Sequence, residues 1–162
     1  MMSANAIIRP ARASDIPAIV DLWIELMDFH AERDPWFARS ADGHIGFAEH
    51  LANCLDDARY VLLVAELDGR VAGYSLAEIT QRPAAFAERE HGFITDIAVT
   101  AKCRRLGIGT RLAEETIRCL RERGMGRIVL SYASANEVSR AFWRKMGFGP
   151  YMERLRLDIT DN

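Results

Sequence analysis

Cysteine is scarce in this 162-residue chain, charge of one sign is not in excess, and long apolar runs are missing. Each shortage removes a class of protein. The three cysteines, Cys54, Cys103 and Cys119, are odd in number and widely spaced. They form neither a CxxC pair nor a metal-ligand pattern, so no disulfide framework and no metal are expected; reduced, mostly buried thiols fit a cytosolic protein. Twenty-one Lys and Arg against 23 Asp and Glu leave a formal charge of −2. That balance supplies no sequence-wide basic field, and no nucleic-acid partner is expected. No apolar stretch approaches the ~18 residues needed to span a bilayer, and Met1–Arg12 lacks the apolar core of a secretory leader. A soluble, cytoplasmic protein with no membrane partner is the expectation. No repeat and no Pro/Gly/Ser-rich linker divides the chain, so residues 1–162 are expected to form a single domain.

Apolar residues make up 49% and charged residues 27%, ordinary globular usage. Ala6–Arg9 reads as a first strand. Ser14 suits the N-cap of a helix whose apolar face holds Ile16, Ile19, Val20, Trp23 and Leu26, ended by Asp34-Pro35. A second helix is expected over Ile45–Leu55, then strands over Tyr60–Glu66 and Val71–Ile79 joined by the hairpin signal Asp68-Gly69. Gln81–His91 reads as a polar connection with room for a helical turn. Gly92–Val99 reads as a strand, followed by a basic loop and a helix with Leu112, Ala113, Thr116, Ile117 and Leu120 buried, ending at Gly124. Arg127–Tyr132 is the next strand, so the strand–helix–strand crossover places two parallel strands in one sheet. Asn136 caps a short helix closed by Gly147, and the alternation of Tyr151–Leu157 predicts a last strand.

Chemistry concentrates between the Gly92–Val99 strand and the helix after it, in Arg104-Arg105-Leu106-Gly107-Ile108-Gly109-Thr110. Glycines there let backbone approach a ligand closely, and amides at a helix N-terminus face outward, which favours a phosphate or pyrophosphate. A tight turn whose glycines only relieve crowding accounts for the same residues. The dinucleotide fingerprint fails because Leu112 stands where its third glycine belongs, and the P-loop fails for want of Gly-Lys-Ser/Thr.

The stretch Arg104–Gly109 resembles, position by position, the Arg/Gln-x-x-Gly-x-Gly/Ala pattern of the GNAT superfamily of acetyl-CoA-dependent N-acetyltransferases. Asp96-Ile97-Ala98-Val99 resembles that family's fourth strand. Asn136–Phe148 is similar to its Asn-x-x-Ala-x-x-x-Tyr-x-Lys-x-Gly-Phe segment. The resemblance covers about 53 residues closely and the first half in element order. It implies an α/β (α+β) fold with a central, mixed, mostly antiparallel sheet containing a splayed parallel pair, flanked by about four helices. It further implies acetyl transfer from acetyl-CoA to an amine acceptor by direct attack on the thioester, without an acyl-enzyme. The pantetheine arm would lie in the splay along Ile97, Ala98 and Val99, and the pyrophosphate on amides from Arg105 to Thr110 beside Arg104. A backbone N–H near Val99 would polarise the thioester carbonyl. Asn136 would hydrogen-bond the pantetheine region, and Trp143 would stand beside the cofactor.

The chain departs from the family pattern at three positions. Trp143 replaces the family's proton-donating Tyr, and an indole cannot supply a proton near neutral pH. A thiol with a pKa of about 8.5 leaves as thiolate at pH 7 for only about 2 kcal/mol, so the loss is small. Packing accounts for Trp143 better than catalysis, and Tyr132 and Tyr151 are the substitute donors. Thr95 replaces the base of polyamine-type relatives. Asp96 is then the acid inside the strand, with a hydrogen-bonded structural role as its alternative, and Glu78, Glu90, His91 or a water held by Thr95 as rival bases. Ser139 replaces Ala, a small change. Glu25, Asp28, Glu32, Asp34 and Asp42 are dense in the first helical region, which suits a cationic amine, though a solvated face explains them as well. The leading acceptor is the primary amine of a small molecule. A protein N-terminus or lysine, or a non-catalytic acyl-CoA-binding module, are the competing readings, and a homodimer stands among the open assemblies.

Overall fold

A computed structural model describes residues 5–159. Met1–Ala4, the start of the stretch read as lacking a leader, and Thr160–Asn162 lie outside the described residues. Contacts divide the chain into two compact units, Met1–Ser131 and Tyr132–Asn162.

The first unit runs β1 (Ile7–Pro10), α1 (Ile16–Ala31), α2 (Gly43–Leu55), β2 (Tyr60–Leu67), β3 (Arg70–Gln81), β4 (Glu90–Val99), α3 (Ile108–Glu122) and β5 (Ile128–Leu130). The strands form one sheet in sequence order. Its first three junctions are antiparallel, and β4 with β5 is parallel. The mixed, mostly antiparallel sheet with one parallel pair is therefore present. With α4 (Glu137–Lys145) of the second unit the α-helices among the described residues number four.

Strand alternation sorts the two layers. Tyr74 and Leu76 join Ile19 and Leu22 of α1 and Leu51 and Cys54 of α2 in one buried cluster. Ser75, between them, points the other way and meets Thr116 of α3 at 2.5 Å. Thus α1 and α2 cover one face and α3 the other. Strand glycines let α3 come close: a Cβ on Gly73 would stand 3.1 Å from Leu112, and one on Gly92 2.8 Å from Leu120. Gly124 (φ +87°) closes α3 as expected, with Met125 N–H donating to Leu120 O and Gly124 N–H to Arg121 O, a Schellman end. The Asp68-Gly69 turn also holds, both residues having positive φ.

Three expectations are corrected. The first helix does not start at a Ser14 cap. Ala13–Asp15 is a 3₁₀ turn, and Asp15 instead accepts the Arg12 N–H and the Arg9 guanidinium, a buried partnership that outweighs a simple cap. Tyr151–Leu157 is not a strand: among the described residues it has no ladder partner, and Leu155 and Leu157 are exposed. Alternation marks two faces but cannot supply the neighbour that a strand needs. The Gln81–His91 connection is shorter than expected, because β3 and β4 extend to a Gln81–Glu90 pair and leave only a turn at Pro83–Phe86.

In the second unit, Asn136 caps α4 by accepting the Ser139 N–H at 3.0 Å. Gly147 (φ +92°) closes it with another Schellman end, Phe148 N–H donating to Trp143 O. The hydrophobic contact of that motif is the Trp143–Phe148 ring pair, 5.1 Å between centroids.

Candidate active site

The parallel pair is short. Gly92, Phe93 and Ile94 pair with Ile128, Val129 and Leu130, and from Thr95 to Val99 β4 has no strand partner on that side among the described residues. The ladder ends where β4 carries a bulge. Asp96 lies opposite Leu76 and Ile94 opposite Ala77, so Thr95 is the extra residue. The bulge reverses the facing of the residues after it. Gly92 and Ile94 share the α3 face, and unbroken alternation would send Asp96 there too. The extra residue turns Asp96 to the α1–α2 face instead, beside Tyr74 and Ala98, while Ile97 faces α3 opposite Ser75.

Beyond the bulge the chain makes a 3₁₀ turn, Ala101–Cys103, and enters the loop before α3. Two residues there are left-handed, Arg105 (φ +64°) and Gly107 (φ +78°). Gly107 carries the strain lightly as the N-cap; Arg105, which has a Cβ, is the costlier of the two. The first intrahelical bond is Arg111 N–H to Gly107 O. The amides of Gly107, Ile108, Gly109 and Thr110 consequently have no acceptor inside the helix and sit at its positive pole. This amide cluster, with Arg104 and Arg105 flanking, fits a diphosphate. The unpaired edge Ile97–Val99 precedes it by one turn and a short loop and fits an extended arm.

On the other face, Asp96 is half-buried and its carboxyl is pushed up to about 6. Desolvation raises it, and Tyr74 and the His50 charge offset part of the rise. Tyr74 is fully buried, its hydroxyl completes no hydrogen bond, and burial with the adjacent Asp96 charge raises its own pKa. Rings of α2 surround the pair. Phe47 lies 6.4 Å from Tyr74 and stacks on Trp23 at 4.7 Å, and His50 meets Tyr60 edge-on at 5.7 Å. His50 also lies 3.5 Å from the Cys54 thiol, whose pKa burial pushes up to about 11, which keeps it un-ionised. An acid with a pKa near neutrality beside an unsatisfied phenol can accept a proton from an amine.

The rival bases fare differently. Glu90 accepts from Gln81 at 3.2 Å and His91 faces the Arg89 carbonyl, both at the far end of β4, roughly 16–20 Å from Asp96 at ~3.3 Å per residue. Glu78 pairs across the strands with Phe93 and Tyr60. Thr95 is exposed on the bulge. Three of the five acids of the first helical region have partners of their own: Glu25 with Arg104, Asp28 with Arg39 at 3.2 Å, and Asp34 accepting the Trp36 N–H. Asn136, Trp143 and Tyr132 belong to the second unit. Trp143 is buried, Tyr132 is partly exposed, and Tyr151 is exposed. Tyr74, His50 and the tie from Glu25 were not foreseen. The signal for Tyr74 was a polar tip inside an apolar strand, Ala72–Ala77, where a phenol needs a reason to be.

Known proteins share this architecture. The pattern of the Acetyltransferase (GNAT) family matches residues 21–148. An uncharacterized N-acetyltransferase of Methanocaldococcus jannaschii, MJ1530, is 32% identical over 105 residues, 64% of this chain and 58% of that protein. An N-alpha-acetyltransferase of Sulfurisphaera tokodaii is 30% identical over 110 residues, 63% of this chain and 62% of that protein. The chain thus spans about six-tenths of the length of these relatives. Among solved structures, a point mutant of the BH1408 protein from Bacillus halodurans superposes with a TM-score of 0.87 at 20% identity, covering 95% of this chain and 99% of that one. A predicted acetyltransferase of Clostridium acetobutylicum crystallised with acetyl-CoA gives 0.76 at 20% identity, over 94% and 96% of the two chains. An aminoglycoside 6′-N-acetyltransferase of Acinetobacter haemolyticus gives 0.74 at 17%, over 96% and 99%. With one parallel pair in a mixed sheet, helix-start amides that have no acceptor inside the helix, and a family match over most of its length, the chain belongs to the acetyltransferase (GNAT) family.

Proposed function

We propose that this protein transfers an acetyl group from acetyl-CoA to a primary amine, with a small molecule as acceptor. The observation that carries the reading is the unpaired edge of β4 from the Thr95 bulge to Val99, upstream of the amides at the start of α3 that have no acceptor inside the helix. In this reading Ile97, Ala98 and Val99 offer backbone to the pantetheine arm. Arg104 and the amides from Arg105 to Thr110 hold the diphosphate, and Asn136 and Trp143 are the cofactor residues carried by the second unit. Acetyl-CoA supplies an activated thioester.

Asp96 takes a proton from the acceptor's ammonium group, and the freed amine nitrogen bonds to the thioester carbonyl carbon. The carbon–sulfur bond breaks, and the thiolate leaves with the electron pair. The second amine proton ends on that sulfur, through Tyr132, whose phenol can donate where the indole of Trp143 cannot. A base with a pKa of about 6 is largely ionised at pH 7 and still basic enough to accept a proton. The architecture shared with an aminoglycoside acetyltransferase supports a small polyamine-like acceptor.

A second reading, acetylation of a peptide α-amine, is favoured by the 30% identity to an N-alpha-acetyltransferase. A thiol-release assay with acetyl-CoA against aminoglycosides, polyamines, amino acids and N-terminal peptides tests both. The proposal expects amine-dependent CoA release with a small amine. Release with peptides alone would hand the case to the second reading. Acetyl-CoA binding without turnover on any amine would leave a binding module.

A further inference from the structure

Glu25 lies in the middle of α1, far in sequence from the loop before α3, yet it reaches that loop twice. Its Oε1 accepts the backbone N–H of Ala101 at 2.6 Å. The same oxygen lies 3.7 Å from Arg104 Nη2. Ala101 opens the 3₁₀ turn that carries β4 toward α3, and Arg104 follows its last residue. Arg104 is fixed at a second point by its Nε, which donates to Val99 O at 3.3 Å. One turn further along α1, Phe29 presents its ring to the same arginine, 5.5 Å from the guanidinium carbon. Arg33 also lies over that ring, at 3.4 Å from its centroid. A single carboxylate of α1 therefore pins both ends of a three-residue turn, and the arginine it holds remains 46% exposed at its side chain.

The arrangement has a physical consequence for ligand binding. A turn this short leaves its first amide without an acceptor of its own, and a carboxylate there makes a charge-assisted bond that fixes the turn's direction. Arginine carries a large rotamer entropy, which a ligand must otherwise remove on arrival; an arginine already held costs less to use. Its fork has five N–H donors, and two contacts do not exhaust it. The opposing effect is repulsion between Glu25 and an arriving anion, but both groups face water, where charge–charge terms are screened. Preorganisation wins.

We propose that Glu25 is a positioning residue for the diphosphate-binding loop. It holds Arg104 and the Ala101–Cys103 turn in the orientation that receives the diphosphate of acetyl-CoA, and so links α1, on the Asp96 face of the sheet, to the cofactor loop. This inference rests on the acetyl-CoA reading above. Acetyl-CoA is titrated calorimetrically into the wild type, Glu25→Gln, Glu25→Ala, Arg104→Ala and the double variant Glu25→Gln/Arg104→Ala, with melting of each unliganded protein alongside. Glu25→Gln keeps an acceptor for the Ala101 amide and loses the charge that holds Arg104. It should bind about threefold more weakly with an unchanged melting temperature, and Glu25→Ala about tenfold more weakly. In the Arg104→Ala background the Glu25→Gln effect should vanish, which a general structural role would not produce. Unchanged or tighter binding in both Glu25 variants overturns the proposal, as does an undiminished Glu25→Gln effect without Arg104. In either case the acetyl-CoA reading stands. A wild type that does not bind acetyl-CoA overturns that reading and this one with it.

Discussion

The hydroxyl of Tyr74 is sealed inside the first unit and completes no hydrogen bond, and the charged group it faces is Asp96, whose pKa is pushed up to about 6. The proton-binding Asp96 of the folded state has a raised pKa, so the contribution it makes to stability is fully present below the unfolded value near 3.8 and is lost as pH rises through about 6. Above pH 7 the half-buried carboxylate is a burden of about 2–3 kcal/mol, from roughly two units at ~1.4 kcal/mol each. Asp96→Asn should therefore be more stable than the wild type at pH 8. The advantage should shrink between pH 6 and 4 and disappear below that, as denaturant melts at several pH values would record. Its turnover should fall by roughly 10²–10⁴-fold. An Asp96→Asn variant less stable at pH 8 would show that the carboxylate is satisfied by a partner.

The same pair fixes the pH profile. If Asp96 is the base, kcat/KM should rise through about pH 6 with unit slope and then level off. Tyr74 lowers the Asp96 pKa, so Tyr74→Phe should move that limb to higher pH. Because the phenol that offsets part of the Asp96 rise is then gone, Tyr74→Phe should lose stability above pH 6 and not below pH 4, as denaturant melts at both ends would record. A limb that stays in place, or one absent from the wild type, would assign the proton to another group.

At the start of α3, Gly109→Asp makes two effects diverge. A carboxylate in the first turn suits the helix dipole and should keep or slightly raise the melting temperature of the unliganded protein. The same charge would occupy the amide cluster where the diphosphate is to sit, and acetyl-CoA affinity should fall at least ~100-fold, about 2.7 kcal/mol. Calorimetry together with melting curves reads both. Normal acetyl-CoA affinity in Gly109→Asp would reduce the glycines to a turn.

Much of the architecture was legible because local chemistry and tertiary demand agreed. The Asp68-Gly69 turn, the Gly124 and Gly147 helix ends and the Asn136 cap are decided by residues within a few positions, and all four stand as read. Long-range features were not legible. The Thr95 bulge depends on the register of β3 against β4, and no residue type announces it. The side on which Asp96 falls is set by that bulge alone. Ser14 read as the cap of the first helix, whereas its neighbour Asp15 is buried as the partner of Arg9. The acids of the first helical region suited a cationic amine or a solvated face, and the pairing of Glu25 with Arg104 and of Asp28 with Arg39 depends on arginines that the sequence places elsewhere.

A polar contact that joins α3 to the sheet can be tested on its own. Thr116 Oγ1 donates to Leu112 O at 2.8 Å, which leaves its oxygen to accept from Ser75 Oγ at 2.5 Å, both residues being fully buried. Thr116→Val should orphan the Ser75 hydroxyl and cost about 1–3 kcal/mol. Ser75→Ala with Thr116→Val removes both partners, and it should be less destabilised than the two single losses added together. Additive losses in urea melts would mean that the two hydroxyls do not act as a pair.

Trp143 tests whether leaving-group protonation limits the reaction. It stands at the third position from the end of α4, buried, stacked edge-on with Phe142 at 4.8 Å and with Phe148 at 5.1 Å. That is the hydrophobic contact of the helix end, and it gives the indole a structural reason to be present. An indole has no proton to give, and a thiolate leaves at pH 7 for only about 2 kcal/mol, since its pKa lies near 8.5. Trp143→Phe keeps an aromatic ring at the contact. It should lose no more than about tenfold in kcat, ~1.4 kcal/mol, through looser packing. Trp143→Tyr adds a phenol and should raise turnover most at low pH, where an acid helps the sulfur leave. Tyr132→Phe, by contrast, should lower kcat more than Trp143→Phe does if Tyr132 is the donor. A thousandfold collapse in Trp143→Phe, with acetyl-CoA affinity and melting temperature both intact, would place the indole in the chemical step and remove Tyr132 from it.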